Sequence, residues 1–101
     1  MFNMTFIDIL PYMDKEMWLE KLEKEGYKNV RIVEQPPNTD FGEHVHDEHT
    51  VHVIVMGDLI ISEKGEEKIL KVGDRCEFPA GTKHGAKTGS EGLTMIVGVK
   101  K

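Results

Sequence analysis

The chain has 101 residues, a length that suits one domain with a modest core and leaves little room for a second. Its formal net charge is −5, and thirteen basic residues are scattered among eighteen acidic ones, which argues against a nucleic-acid backbone as partner because phosphate recognition needs clustered Lys and Arg. No apolar run approaches the roughly 20 residues of a membrane helix, Met1 to Leu10 has neither the basic start nor the small-residue cleavage site of a signal peptide, and the single cysteine, Cys76, cannot form an internal disulfide. The expectation is a soluble, cytoplasmic protein with no nucleic-acid and no membrane partner.

The chain reads as one domain over 1–101, with an N-terminal strand and helix in 1–28 and a β-barrel in 29–101. The apolar stretch Phe2 to Leu10 is suited to adding a strand at an exposed sheet edge. A short helix follows. Met17, Trp18, Leu19 and Leu22 recur at helical spacing between charged residues. Asp14 is placed as its N-cap and Gly26 as its stop, with Pro11 before it. A helix this short needs tertiary packing, and Trp18 is expected to dock it on the barrel or on a second subunit.

From Asn29 onward the period changes. The runs Val30–Glu34, Gly42–His46, Val51–Met56, Leu59–Glu63, Glu67–Lys71, Cys76–Phe78 and Leu93–Lys100 read as strands. Turn signals separate them at Pro36-Pro37-Asn38, Gly57-Asp58, Lys64-Gly65, Gly73-Asp74, Ala80-Gly81 and Gly89 to Gly92. Regular short strands without intervening helices predict an antiparallel sandwich or barrel.

Four of the five histidines, His44, His46, His49 and His52, fall within nine residues of β-like sequence; the fifth is His84. Alternate side chains on a strand share a face, so His44 and His46 point the same way. Neutral imidazole is the commonest metal ligand near neutral pH. An H-x-H alone is as readily a pair of exposed histidines, and a third ligand must come from elsewhere. His84 follows the rigid turn Pro79-Ala80-Gly81 and is the candidate.

These residues give the sequence its resemblance to the cupin superfamily, whose first motif is G-x5-H-x-H-x3-4-E-x6-G. Here Asn38 stands at the opening position, His44-Val45-His46 follow, then Thr50 and Gly57. The second motif, G-x5-P-x-G-x2-H-x3-N, is matched by Gly73, Pro79, Gly81 and His84, with Thr88 at the closing position. The resemblance implies an all-β, double-stranded β-helix (jelly-roll, RmlC-like) barrel, here with a short N-terminal helix. It implies that His44, His46 and His84 hold a metal inside the barrel, and that two copies pair as a homodimer.

Thr50 is the informative departure, because it stands where the family has a ligand glutamate. A hydroxyl is a poor ligand beside a carboxylate. The site is then either three histidines with open positions, as in cupin dioxygenases of thiols and diketones, or it borrows a fourth ligand. His52 shares the face of His44, His46 and Thr50 and is the candidate fourth contact. It lies about 6.6 Å of strand beyond Thr50, so it takes that place only with a bulge or a shifted ion. Otherwise His52, with Thr50 and Thr88, belongs to a substrate pocket. Glu48 has the same parity but lies in a turn, and His49 has the opposite one. Three neutral nitrogens suit a divalent transition metal, whether Fe, Zn, Ni, Mn or Cu.

Cys76, Phe78, Met56, Ile54 and Met95 are expected in the core or against a pocket, and Arg75 and Lys83 on the surface or meeting an acidic substrate. Two functional classes follow. One is a metal-dependent enzyme of dioxygenase, isomerase or lyase type acting on a small molecule. The other is a non-catalytic module that binds or senses a small ligand or metal.

Overall fold

The computed structural model describes residues 15–100. In chain order they form α1 (Lys15–Lys24), β1 (Lys28–Gln35), β2 (Asp40–Val45), β3 (His49–Glu63), β4 (Glu66–Leu70), β5 (Arg75–Phe78) and β6 (Lys83–Lys100). The expected N-cap Asp14, Pro11 and the edge segment Phe2 to Leu10 lie outside the described residues.

Helix α1 ends as the sequence predicts. Tyr27 N–H donates to Leu22 O at 3.1 Å and Gly26 N–H to Glu23 O at 3.0 Å, the two bonds of a Schellman cap. Gly26 takes φ +99°, which a glycine adopts without steric cost. The cap folds Tyr27 back onto Leu22. Both are buried, and they share a cluster with Val51, Val53, Val55 and Ile96, against which Trp18, Leu19 and Val30 pack. Trp18 thus docks the helix on the sheet.

Every strand pairing is antiparallel. The order is β1-β6-β3-β4, with β2 also on β6 and β5 also on β3; among the described residues the sheet does not close. Strands β3 and β6 are long and each serves two half-sheets. The first is β1-β6-β3-β5, built on residues 93–100 of β6 and the start of β3. The second is β2-β6-β3-β4, built on residues 83–88 of β6 and the end of β3. Counted this way there are eight strand segments in two layers, the jelly-roll plan. Their inner faces share one core of Ile54, Leu59, Ile61, Leu70, Phe78 and Leu93.

Two expected turns are not turns. Gly57-Asp58 and Gly89 to Gly92 lie inside β3 and β6, so Val51–Met56 and Leu59–Glu63 are one strand. The register shifts on both sides of Gly57, which marks a bulged bend rather than a reversal. Gly57 takes φ +80°, and a Cβ there would collide with the carbonyl oxygen of Gly92. The paired backbones of the two long strands come closest at this bulge, and only glycine fits there. The segment 83–88 was not among the expected strands, because its lysines, glycine and alanine carry little β preference. It is held by pairing with β2 and β3.

Candidate metal centre

The site is built where β2 meets the start of β6. His44 and His84 are direct partners across the two strands. His46 lies just past the end of β2, and its carbonyl accepts Gly81 N–H at 2.9 Å. The Pro79-Ala80-Gly81 turn is therefore tied to the H-x-H segment, and Thr82 closes it by donating from Oγ1 to Pro79 O at 2.7 Å. A bulge between Asp40 and Glu43 puts both Phe41 and His44 against the same interior cavity.

The three imidazoles converge. Ring centroids are 4.8 Å apart for His44 and His46, 4.4 Å for His44 and His84, and 5.0 Å for His46 and His84. One nitrogen from each lies within 4.8 Å of the others, and among the described residues these three form the one group able to hold a metal ion. His84 is fully buried, with Phe78 stacked flat on it. Its Nδ1 lies 3.4 Å from Gly85 O. That contact assigns the proton to Nδ1 and leaves Nε2 with a lone pair.

The Nε2 atoms of His46 and His84 are buried and make no hydrogen bond. Buried polar atoms without a partner are rare, and each calls for an explanation. A bound cation supplies one, since it accepts the lone pairs that the protein leaves unused. Burial, reinforced by the neighbouring imidazoles, holds His46 below its usual pKa, and burial does the same for His84 against the pull of the Gly85 carbonyl. Both are thus neutral near pH 7, the form that ligates. The donor set is three imidazole nitrogens, which fits a borderline divalent transition metal.

The other expected residues separate. His52 stands beside the triad, its ring 6.1 Å from that of His46. Its Nε2 is 3.3 Å from Thr50 Oγ1, and its Nδ1 is buried without a partner. Burial, then the neighbouring histidines, push its pKa down to about 4. Thr50 is buried behind His52. Thr88 is placed elsewhere: its hydroxyl donates to Pro36 O at 2.6 Å and accepts Thr39 N–H at 2.9 Å, fixing the β1–β2 connection. His49, of opposite parity, joins Glu77 at 2.9 Å and Tyr27 OH at 3.2 Å on the helix side of the sheet. Glu48 does not join the triad.

The triad faces a cavity of about 300 Å³ between the half-sheets. Met95, Val33, Val97 and Leu59 supply apolar wall, while Arg31 and Gln35 of β1 supply polar groups. Arg31, Gln35 and Phe41 were not singled out from the sequence. The alternation Arg31, Val33, Gln35 on β1 carried the signal that all three face inward. Arg75, by contrast, is occupied by Glu25 and Glu77. Met56 is exposed and Ile54 is core. Cys76 packs against the inner core, and burial raises its thiol pKa, the pattern of an unreactive cysteine.

No helix among the described residues is long and apolar enough to cross a membrane. None of the curated proteins matches the sequence. Among solved structures, the fold is similar to the DMSP lyase DddQ from Ruegeria pomeroyi, at 20% identity and TM-score 0.64, over 71% of this chain and 37% of that one. It is similar to KdgF from Halomonas sp., at 23% identity and TM-score 0.59, over 71% and 67% of the two chains. It is also similar to a predicted oxalate decarboxylase from Thermotoga maritima, at 19% identity and TM-score 0.62, over 80% and 72%. The chain therefore spans well under half of the DddQ chain, and likeness at these identities concerns the fold alone. The family model for the cupin domain matches residues 31–99, which contain both halves of the jelly roll and all three converging histidines. The chain belongs to the cupin superfamily.

Proposed function

We propose that this cupin holds one divalent transition metal ion on His44, His46 and His84 and acts there on a small organic molecule, as a dioxygenase, isomerase or lyase. The observation that carries the reading is the pair of buried, unpartnered Nε2 atoms of His46 and His84 beside a cavity of about 300 Å³. The protein contributes three ligands and no carboxylate, which leaves open positions, the pattern of a catalytic rather than a closed structural centre. A lyase and a predicted decarboxylase are among the proteins of similar fold, which agrees with chemistry at this place.

Bound there, the metal supplies Lewis-acid polarisation of a substrate or water oxygen. The chain's own residues do the rest. Phe78 and the Gly85 carbonyl hold His84 in one orientation, as partners of ligating histidines generally must. Val33, Leu59, Met95 and Val97 give the reacting molecule an apolar wall to lie against. Neutral His52, positioned by Thr50, turns its free Nδ1 to a substrate hydrogen-bonding group.

The test uses protein purified without a metal-affinity tag and loaded with Fe(II), Mn(II), Ni(II), Zn(II) or Cu(II). It is screened for turnover of thiols, diketones, sugars and small carboxylic acids. Product formation that disappears in His84→Ala supports the enzyme reading. Stoichiometric metal and ligand binding with no turnover on any class favours the non-catalytic module. Turnover that survives His84→Ala contradicts this site.

A further inference from the structure

Arg31 is the one cationic side chain among the described residues lining the histidine cavity, and no Asp or Glu lines it. The protein has two arginines. Arg75 is bound by Glu25 and Glu77. Arg31 makes no salt bridge among the described residues and spends one N–H on the Asn29 carbonyl, at 3.0 Å. Four of the five guanidinium donors remain. Arg31 is solvent-exposed where it lines the cavity, so its free donors are open to an entering anion.

Register places this cation. Arg31 is opposite Val97, and Val97 is opposite His52. The three form one inward-facing row across β1, β6 and β3, with Cα atoms of Arg31 and His52 about 10 Å apart. Val97 lies between them as an apolar floor. The free Nδ1 of His52 is at the far end of the row, next to the triad. Gln35 lies further along β1 on the same inner face.

We propose that Arg31 binds the carboxylate of a small organic acid whose other end lies against His44, His46 and His84. The planar fork of a guanidinium matches a carboxylate with two parallel hydrogen bonds. Val33, Met95 and Val97 take the carbon skeleton. A cavity of about 300 Å³ restricts that skeleton to a few carbons. The far end of this assignment rests on the metal reading above; the Arg31 end stands on its own observations.

The experiment follows the arginine Nε–Hε signals by NMR in metal-free and Zn(II)-loaded protein. With two arginines in the chain, Arg75 is an internal control. The probes are 2-hydroxybutyrate, its primary amide, and inorganic phosphate. The carboxylate is expected to move the Arg31 signal saturably and leave Arg75 in place, with the amide binding about tenfold or more weakly. Arg31→Gln is expected to remove that preference. The proposal is overturned if Arg31 stays unmoved while the carboxylate saturates the protein, if Arg31→Gln keeps the preference, or if phosphate binds more tightly than the carboxylate. The two readings fail separately. Zn(II) uptake by the triad with Arg31 unmoved overturns this proposal alone. A saturable Arg31 shift in protein that takes up no Zn(II) supports it and contradicts the metal reading.

Discussion

Phe78 lies flat on His84, with ring centroids 4.0 Å apart and planes 8° from parallel. Phe78 also meets His52 edge-on at 5.4 Å. One core side chain thus sets the orientation of a proposed ligand and of its neighbour. Phe78→Ala is expected to cost about 3–5 kcal/mol, through lost burial and the cavity left behind. Phe78→Leu keeps most of the volume and is expected to cost less than about 2 kcal/mol. In that variant His84 loses its flat support, and metal affinity is expected to fall on the order of tenfold. Denaturant unfolding and a metal titration of the same samples check both parts.

The bulged pairing of β3 with β6 at Gly57 makes a prediction about glycines. Gly57 and Gly65 have nearly the same φ, +80° and +82°. A Cβ on Gly57 would collide with the Gly92 carbonyl, whereas one on Gly65 meets nothing within 4 Å. Gly65→Ala therefore pays only the left-handed backbone, about 1–2 kcal/mol. Gly57→Ala is expected to lose at least about twice that, or to fail to fold, because two backbones must separate. Thermal unfolding of the two variants side by side checks the difference.

Acid stability follows from His52. Burial lowers its pKa from 6.5 to about 4, so between those values the unfolded chain binds a proton that the folded chain refuses. Acid therefore favours unfolding. The stability is complete above about pH 6.5 and declines as the pH falls to about 4, by on the order of 3 kcal/mol for this group. His46 and His84 are lowered by burial too and act in the same direction. His52→Gln, measured in metal-free protein, is expected to flatten the decline in that window. Glu25, held near pKa 2 chiefly by Arg75, adds stability that is complete above about pH 4.5 and is lost as the pH falls from there to about 2, so its loss lies almost wholly below the His52 window.

His52 also separates a ligand from a neighbour. Its Nε2 faces Thr50 and its ring is further from His46 than those of His44 and His84. His52→Ala is expected to keep about one metal per chain and to weaken affinity by less than about tenfold. Elemental analysis beside a competition titration with a chelator checks this.

The legible parts of the sequence were those where backbone and spacing leave little choice. Gly73, Pro79, Gly81 and His84 fix a turn and the residue that leaves it, and Gly26 fixes the helix stop. The strands with Val and Ile runs were equally plain. Gly57 and Gly89 to Gly92 misled, since a glycine bulge inside a strand and a glycine turn between strands look alike locally. Pairing partners distant in sequence decide between them. Arg31 has no local signal of a role, because an arginine on a strand is usually solvated; it is exposed here too, and only the assembled half-sheets put it beside the cavity. Thr88, at a motif position, serves the β1–β2 connection through bonds to Pro36 and Thr39.

A metal ion held by His44, His46 and His84 would be seen directly as bound metal. The most direct measurement is elemental analysis of tag-free protein purified from its native metal supply, wild type beside His84→Ala and the Arg75→Gln control, each checked for folding by circular dichroism. Wild type and control are expected to carry close to one transition-metal ion per chain, and folded His84→Ala almost none. Wild-type protein that stays metal-free after incubation with excess Fe(II), Zn(II), Ni(II), Mn(II) and Cu(II), or a folded His84→Ala that binds as much as wild type, would contradict this metal site.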